Sequence, residues 1–316
     1  MLLLTRPIDW LMLRFGDPRG LGADRRIAVC GTHRSGTTLV GSLLTVDPRS
    51  RQIFEPFNPA SGIAGATRSF VAADWPGNDW QGLIDDFLGA EGVRFRYPVA
   101  RGHRRLMRWL KGTRLAREYA AARLLRTRRL VIKCPFMSLS GQYLIDRHGI
   151  QLVFTVKHPA SFFVSLRRVG WHEDLPLDDM VAQGVIDAAT RDAATTPAAR
   201  AGLFWSVVNG HALETRRRFP GAATIWSHER FCRDPDAEMA RLTMALRIDY
   251  TAAMQRAVAA ATHGDVVRPP AGTVHELVRD AAGMSDDWRD QLSDEEEAEL
   301  RARCGPLYEE LIGEPW

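Results

Sequence analysis

The chain reads as an α/β protein, a three-layer fold with a central, mainly parallel sheet flanked by helices. Two observations predict it. Short apolar runs ending near residues 30, 133, 156 and 227 alternate with helix-prone segments along the chain, the pattern of strands joined by helical crossovers. The clearest of them, Leu152 to Val156, is apolar throughout rather than alternating, as expected of a strand covered on both faces. At 316 residues the chain can bury one large core with room for insertions. We therefore expect a single domain over 1–316, with a basic helical insertion at about 92–128 and a helical C-terminal segment at about 235–316.

Taken in order, the expected elements are strand 27–30, helix 36–46, strand 51–55, helical segments around 80–90 and 102–125, strand 129–133, helix 138–147, strand 151–156 and helix 160–168. Helix 199–219, strand 222–227, helix 235–246 and a mostly helical end complete the order. Residues 195–198 and 268–272 read as loops, the second as a cover over a bound ligand. Asp294 to Glu297 places negative charge where a last helix would begin, which suits the helix dipole. Trp205 and Asn209, one turn apart, read as packing residues.

The most informative stretch is IAVCGTHRSGTTLVGSLLTV at 27–46. A buried strand runs into a turn framed by Gly31 and Gly36, and Thr37 and Thr38 open a helix. Backbone N–H groups at a helix start have no partner inside the helix, and the dipole adds partial positive charge, so phosphate or sulfate is the natural guest. The spacing of the two glycines fits the nucleotide-triphosphatase loop G-x-x-x-x-G-K-[ST], giving a P-loop-like layout. Thr37, however, stands where the lysine belongs. The cation sits inside the turn, at Arg34. Such a turn suits a terminal anionic group without an obligatory metal.

Gly31-Thr32-His33-Arg34-Ser35-Gly36-Thr37-Thr38 resembles the 5′-phosphosulfate loop, G-x-x-[RK]-S-G-T-T, of sulfotransferases that use 3′-phosphoadenosine-5′-phosphosulfate (PAPS). The similarity to the carbohydrate and bacterial branch continues in order through IFEPFNP at 53–59, RLVIKCP at 129–135, LVFTVKHPASFFVSLRR at 152–168, ATIWSHERFCRDP at 223–235 and DDWRDQLSDEEEAEL at 286–300. The resemblance implies a P-loop-like α/β fold, PAPS as donor co-substrate, adenosine 3′,5′-bisphosphate (PAP) as product, and no metal requirement. It implies donor contacts at His33, Arg34, Ser35, Gly36, Thr37 and Thr38. In the family an arginine after a strand and a serine eight residues later clasp the 3′-phosphate, and Lys157 and Ser165 reproduce that spacing. Lysine is a compact point charge rather than a bidentate fork, so the donor is held more weakly or with help from elsewhere. Ser161, Ser165 and Arg168 share one helical face.

Three residues carry the expected chemistry: Glu55, Arg34 and Lys133. Glu55, in Phe54-Glu55-Pro56-Phe57, stands in an apolar setting that would raise its pKa toward useful basicity. The family's carbohydrate and tyrosyl-protein enzymes use a glutamate nearby as general base. Its aryl and steroid enzymes use a histidine shortly after a strand-end lysine, and here Lys133-Cys134-Pro135-Phe136 has none. His33 is a weaker candidate base. His158, His211 and His228 read as structural. Lys133 ends an apolar run, at the carboxyl edge where open α/β sheets place ligands.

Composition bounds the rest. The chain has 42 Lys and Arg against 38 Asp and Glu, a net charge of +4. Residues 101–129 hold eleven of the cations and one acid, Glu118, a local balance of +10, so the remainder carries −6. Leu106, Trp109, Leu110 and Leu115 fall among those cations. A basic amphipathic helix suits a membrane surface or an anionic acceptor, and equally a solvated face. The acceptor classes in view are a carbohydrate, a glycolipid or a small molecule. No groove-reading motif points to nucleic acid. Cys30, Cys134, Cys232 and Cys304 have neither metal-ligand nor disulfide-framework spacing, so we expect a reducing cytoplasm and no metal site. The N-terminal MLLLTRPIDWLMLRF lacks a small-residue cleavage site and reads as an amphipathic helix docking on the body or on lipid. Oligomeric state is not legible. Two other readings stay open: a P-loop kinase or nucleotide hydrolase with a degenerate loop, and a non-catalytic module that binds membrane surfaces.

Overall fold

The computed structural model describes residues 21, 23–89, 93–96, 113–125, 127–262 and 288–316. The leading segment, the cationic residues from Arg101 to Lys111 with Leu106, Trp109 and Leu110, and the expected cover at 268–272 lie outside the described residues.

Five strands form one sheet: β1 (Ala23–Gly31), β2 (Ser50–Phe54), β3 (Thr127–Lys133), β4 (Gln151–Val156) and β5 (Ala223–Ser227), in the order β2-β3-β1-β4-β5. Every pairing is parallel. Ala28, Cys30, Leu130, Ile132, Leu152 and Phe154 face one apolar layer, and Ile27, Val29, Val131, Val153 and Trp226 face the other. Both faces are therefore covered, which is why the strands read as continuous apolar runs.

Helices α1 (Thr37–Leu43), α9 (His228–Arg233), α10 (Pro235–Ala245) and α11 (Ala252–Thr262) cover one face through Val40, Leu43, Phe231, Met239, Leu242, Met254 and Val258. The other face carries α4 (Gly141–His148), α5 (Pro159–Arg168), α8 (Pro197–Arg218) and α12 (Asp294–Ile312), with α2 (Trp80–Gly89), α3 (Arg114–Leu124) and the short α6 (Leu177–Ala182) and α7 (Ala188–Asp192) around its margin. Sequence patterning misses α6, α7 and α9, each of at most six residues and too short to show a helical period.

Caps explain several boundaries. The stretch 195–198, expected as loop, instead opens α8: Thr196 caps the helix by accepting from the Ala199 N–H, and Pro197 sits in its first turn. Ser293 and Glu296 form a capping box at the acidic start of α12, as the sequence predicts.

The described end of the basic stretch is structural. In α3, Leu115, Ala116, Tyr119, Ala120 and Ala122 are buried. Glu118, the stretch's one acid, accepts from the Phe54 N–H on edge strand β2 at 2.8 Å. Tyr119 donates its hydroxyl to the Phe87 carbonyl at 2.7 Å. This helix covers a sheet edge that would otherwise present an unpaired donor, and its apolar face is already spent on the core. Among the described residues no helix is long and apolar enough to cross a membrane.

Candidate active site

Parallel register brings the chemistry-bearing residues to one edge. Phe54 pairs with Lys133, Val29 with Lys133, Gly31 with Thr155 and Val156 with Ser227. The residues just beyond each strand thus open on the same carboxyl side, where a cavity of about 630 Å³ lies. Its lining includes His33, Arg34, Gly36, Thr37, Thr38, Glu55, Lys133, Lys157 and Ser165. Only Ser35 of the expected site residues does not line it. Its hydroxyl turns inward, donating to the Thr32 carbonyl at 2.6 Å and meeting Thr155 Oγ1 at 2.6 Å. Ser35 therefore braces the turn, and what it can offer the cavity is main chain.

The turn after β1 is built around its glycines. Gly31 has φ +134° and a Cβ there would lie 2.4 Å from the Thr155 carbonyl oxygen. Gly36 has φ +97°, and a Cβ would lie 2.8 Å from the buried ring of Trp226. Ser138 locks the strand end from β3's side, accepting from the Gly31 N–H at 2.8 Å and donating to its carbonyl at 3.0 Å. Gly36 precedes α1 without a side-chain cap, and the first turn of α1 carries no acid. The helix start is thereby left to serve an anion.

Arg34 has φ +64° and its Nε donates to Ser165 Oγ at 3.2 Å. The loop cation and the serine on α5 are therefore partners. Burial and the nearby Arg168 charge lower the pKa of Arg34. Lys157 lies just beyond β4 and is buried; its carbonyl accepts from Trp205 Nε1 at 2.9 Å. The Asn209 side-chain amide donates to the Trp205 carbonyl at 2.9 Å. Of the two α8 residues read as packing, Trp205 thus also braces the strand end that carries Lys157.

Lys133 is 3 % exposed in its side chain, and its ammonium donates to Glu55 Oε1. That ammonium also lies 4.3 Å from the centre of the Phe54 ring. Glu55 Oε2 accepts from the Asn58 amide at 2.8 Å. Glu55 itself has φ +48°, a costly conformation for a non-glycine residue that recurs at functional sites. Burial pushes its carboxyl up, as the apolar setting predicts, but Lys133 and the hydrogen bonds from Lys133 and Asn58 outweigh burial. The group is held below the ordinary glutamate range. The expectation of a raised pKa is corrected by a partner that only the β2–β3 register makes visible.

His33 packs edge-on against Phe70 at 5.2 Å, Phe136 at 5.0 Å and Trp171 at 6.1 Å, and stacks on Phe204 at 6.4 Å. Burial, with Lys133 and Arg34 acting against Glu55, lowers its pKa to about 4. The ring is neutral at pH 7.

His158 caps α5 and stacks on Trp288, and His211 pairs with Asp74 at 2.8 Å; both are structural, as expected. His228, read as structural, instead lines the cavity beside Phe231 and Cys232. Sequence reasoning also missed Asn58, Ser69, Trp171, Asp174, Leu175 and Pro176. Asn58 falls inside the quoted IFEPFNP, three residues after Glu55, and was open to notice. The others lie in irregular segments with no periodicity to mark them. All four cysteines are buried and free. Among the described residues no His, Cys, Asp and Glu cluster could hold a metal ion.

No protein-family model matches the chain, and comparison with curated proteins finds no match. Among solved structures, the chain is similar to the sulfotransferase domain from the curacin biosynthetic pathway. The identity is 16 %, with 90 % of this chain and 97 % of that one covered and a TM-score of 0.50. The sulfotransferase domain of the Synechococcus PCC 7002 olefin synthase aligns at 14 % identity over 92 % and 97 % of the two chains, with a TM-score of 0.44. A sulfotransferase from Mycobacterium avium aligns at 16 % over 92 % and 77 %, also with a TM-score of 0.44.

Proposed function

We infer a sulfotransferase fold from the three-layer α/β architecture, with its all-parallel five-stranded sheet among the described residues, and from the similarity to the curacin-pathway domain. We propose that the chain is a PAPS-dependent sulfotransferase acting on a hydroxyl group of a carbohydrate, glycolipid or other small molecule. The observation that carries the reading is the convergence of three cations, Arg34, Lys133 and Lys157, with a glycine-framed turn on one cavity at the sheet's carboxyl edge. That set fits a doubly anionic nucleotide. The turn has no room for a Cβ at Gly31 or Gly36, where it would meet Thr155 and Trp226, so glycine is what lets the turn pack against the sheet end. Arg34, the start of α1, Lys157 and Ser165 would hold it.

When bound, PAPS supplies an activated sulfuryl group whose leaving group is a phosphate oxygen. The acceptor oxygen forms a bond to sulfur as the sulfur–phosphate oxygen bond breaks, and PAP departs. Arg34 and the turn amides stabilise charge on the transferred group. Lys133 is suited to the leaving oxygen, a charge that competes with Glu55 for its ammonium. Glu55 is already ionised at neutral pH and takes the hydroxyl proton. As Lys133 turns toward the developing charge, the restraint that holds the Glu55 pKa down relaxes, and the carboxylate becomes the stronger base. Catalysis is then positioning and fixed electrostatics. We also read 1–316 as one catalytic domain.

The test is incubation with labelled PAPS and fractionated cell extract, in excess chelator, followed by mass analysis. Sulfate gained by a hydroxyl compound supports the reading. ATP turnover in place of transfer, or strict magnesium dependence, would reject it.

A further inference from the structure

Glu55 is held by two donors of different kinds, and the two are not equivalent. Resting on the sulfuryl-transfer reading above, we propose that Asn58 is the positioning residue for Glu55, keeping its carboxylate aimed at the acceptor hydroxyl once Lys133 has turned toward the leaving group. The Lys133 ammonium donates to Glu55 Oε1, and the Asn58 side-chain amide donates to Oε2 at 2.8 Å. Glu55, Asn58 and Lys133 all line the cavity. A carboxylate released by one partner keeps its direction only if the other stays.

Asn58 is built to stay. Its Oδ1 accepts from the Ala60 N–H at 2.9 Å, which fixes the amide so that Nδ2 is the atom facing Glu55. Its own N–H donates to the Glu55 carbonyl at 3.1 Å, and its carbonyl accepts from the Gly62 N–H at 2.7 Å. The turn after β2 closes on itself, the Ile63 N–H donating to the Pro56 carbonyl at 2.8 Å. It is tied to β3 by the Glu55 N–H, which donates to the Lys133 carbonyl at 2.7 Å. The Asn58 side chain thus belongs to the same closed turn that holds Glu55 at φ +48°, whereas the Lys133 side chain reaches Glu55 from another strand.

An amide suits this task better than a second cation. A neutral donor orients a carboxylate with a modest loss of basicity, while a charged donor holds it about twice as strongly and keeps the proton off. Among the described residues, the titratable and charged groups around Glu55 are Lys133 of β3, His33 of the turn after β1 and Cys134 just beyond β3. Glu118 of α3, paired with Arg114, lies behind them on the Phe54 N–H. His33 is neutral at pH 7, and burial pushes the Cys134 thiol up to about 12. With Lys133 turned away, the Asn58 amide is the donor left on the carboxylate.

The experiment reads Glu55 directly, by carbon-13 NMR of the full chain labelled at its glutamate side-chain carboxyls, the Glu55 signal being assigned by its loss in Glu55→Gln. Two variants remove the amide and keep an oxygen for the Ala60 N–H: Asn58→Ser, too short to reach Glu55, and Asn58→Asp, of the same size. The Glu55 carboxyl should titrate below the ordinary glutamate range in the wild type. It should titrate about one pH unit higher in Asn58→Ser, and higher still in Asn58→Asp, where two carboxyls face each other. Sulfate transfer from labelled PAPS to the extract fraction that accepts it should fall about tenfold in Asn58→Ser, with PAP affinity unchanged. A Glu55 titration at the same pH in all three proteins, or undiminished transfer in Asn58→Ser, would overturn the inference and leave Asn58 a turn residue only. Amide-dependent titration of Glu55 in a wild type with no affinity for PAP would support the Asn58 contact while sinking the sulfuryl-transfer reading.

Discussion

Two parts of the cavity lining, one at the strand ends and one in irregular segments, are built by different means. In the first part, the candidate residues sit at or beyond strand ends, where register places them: Arg34 beyond β1, Lys133 at the end of β3, Lys157 beyond β4. The other part, Ser69, Trp171, Asp174, Leu175 and Pro176, comes from irregular segments, and the neighbouring Phe70 and Ala72 are held by hydrogen bonds to Gln183. Strands fix the placement of the residues at their ends, whereas loops tolerate change in sequence and length. Two parts of one site can therefore be broken separately.

The largest effect is expected at the junction between them. Glu55→Gln keeps the shape and the Asn58 contact but removes the proton acceptor. Sulfate transfer, measured as kcat with labelled donor, should fall by about 10²–10⁴ with PAP affinity nearly unchanged. An unaffected kcat would move the base elsewhere, first to His33.

A second change attacks the strand-end part alone. Gly36→Ala puts a methyl group against Trp226 in a backbone region that side chains rarely adopt. It should cost about 1–3 kcal/mol of stability, read by denaturant titration, and weaken PAP binding. Full stability and full PAP affinity would show that the turn is looser than placement by the strands requires.

The smallest effect concerns His33, which touches both parts. Its folded pKa of about 4 lies below its ordinary 6.5, so between those values the unfolded chain binds more protons than the folded one. Stability therefore rises with pH across this window and is lost as pH falls from 6.5 toward 4. The loss is at most about 3 kcal/mol, and less because the ring is partly exposed to the cavity. His33→Gln should flatten the melting temperature over that range, whereas an unchanged slope would assign the loss to other groups. Glu55 acts lower still: its depressed pKa supports stability above the ordinary glutamate value and loses it as pH falls through the folded value.

The strands, the turn at 31–36, Arg34 and Lys133 were legible because a continuous apolar run marks a doubly covered strand, and the residues just past such a run land at the sheet edge. Lys157 and Ser165 were expected from the family resemblance rather than from the fold, and both line the cavity. The Glu55–Lys133 pair could not be read as a pair, since the residues are 78 apart in sequence and meet only through β2–β3 register. Its consequence, a lowered rather than raised carboxyl pKa, was missed for the same reason. The aromatic surroundings of His33 were illegible because Phe70, Phe136, Trp171 and Phe204 come from separate segments. The membrane reading of the basic stretch weakens at Leu115, an apolar residue among the cations that α3 buries in the core.

The central claim is that the turn holding Arg34 receives the sulfonated end of a nucleotide. Calorimetry with PAP tests it most directly, comparing the wild type with Arg34→Ala. The account predicts measurable binding, weakened about tenfold to a hundredfold by loss of one charge-assisted contact. No affinity for PAP, or equal affinity in the variant, would contradict it.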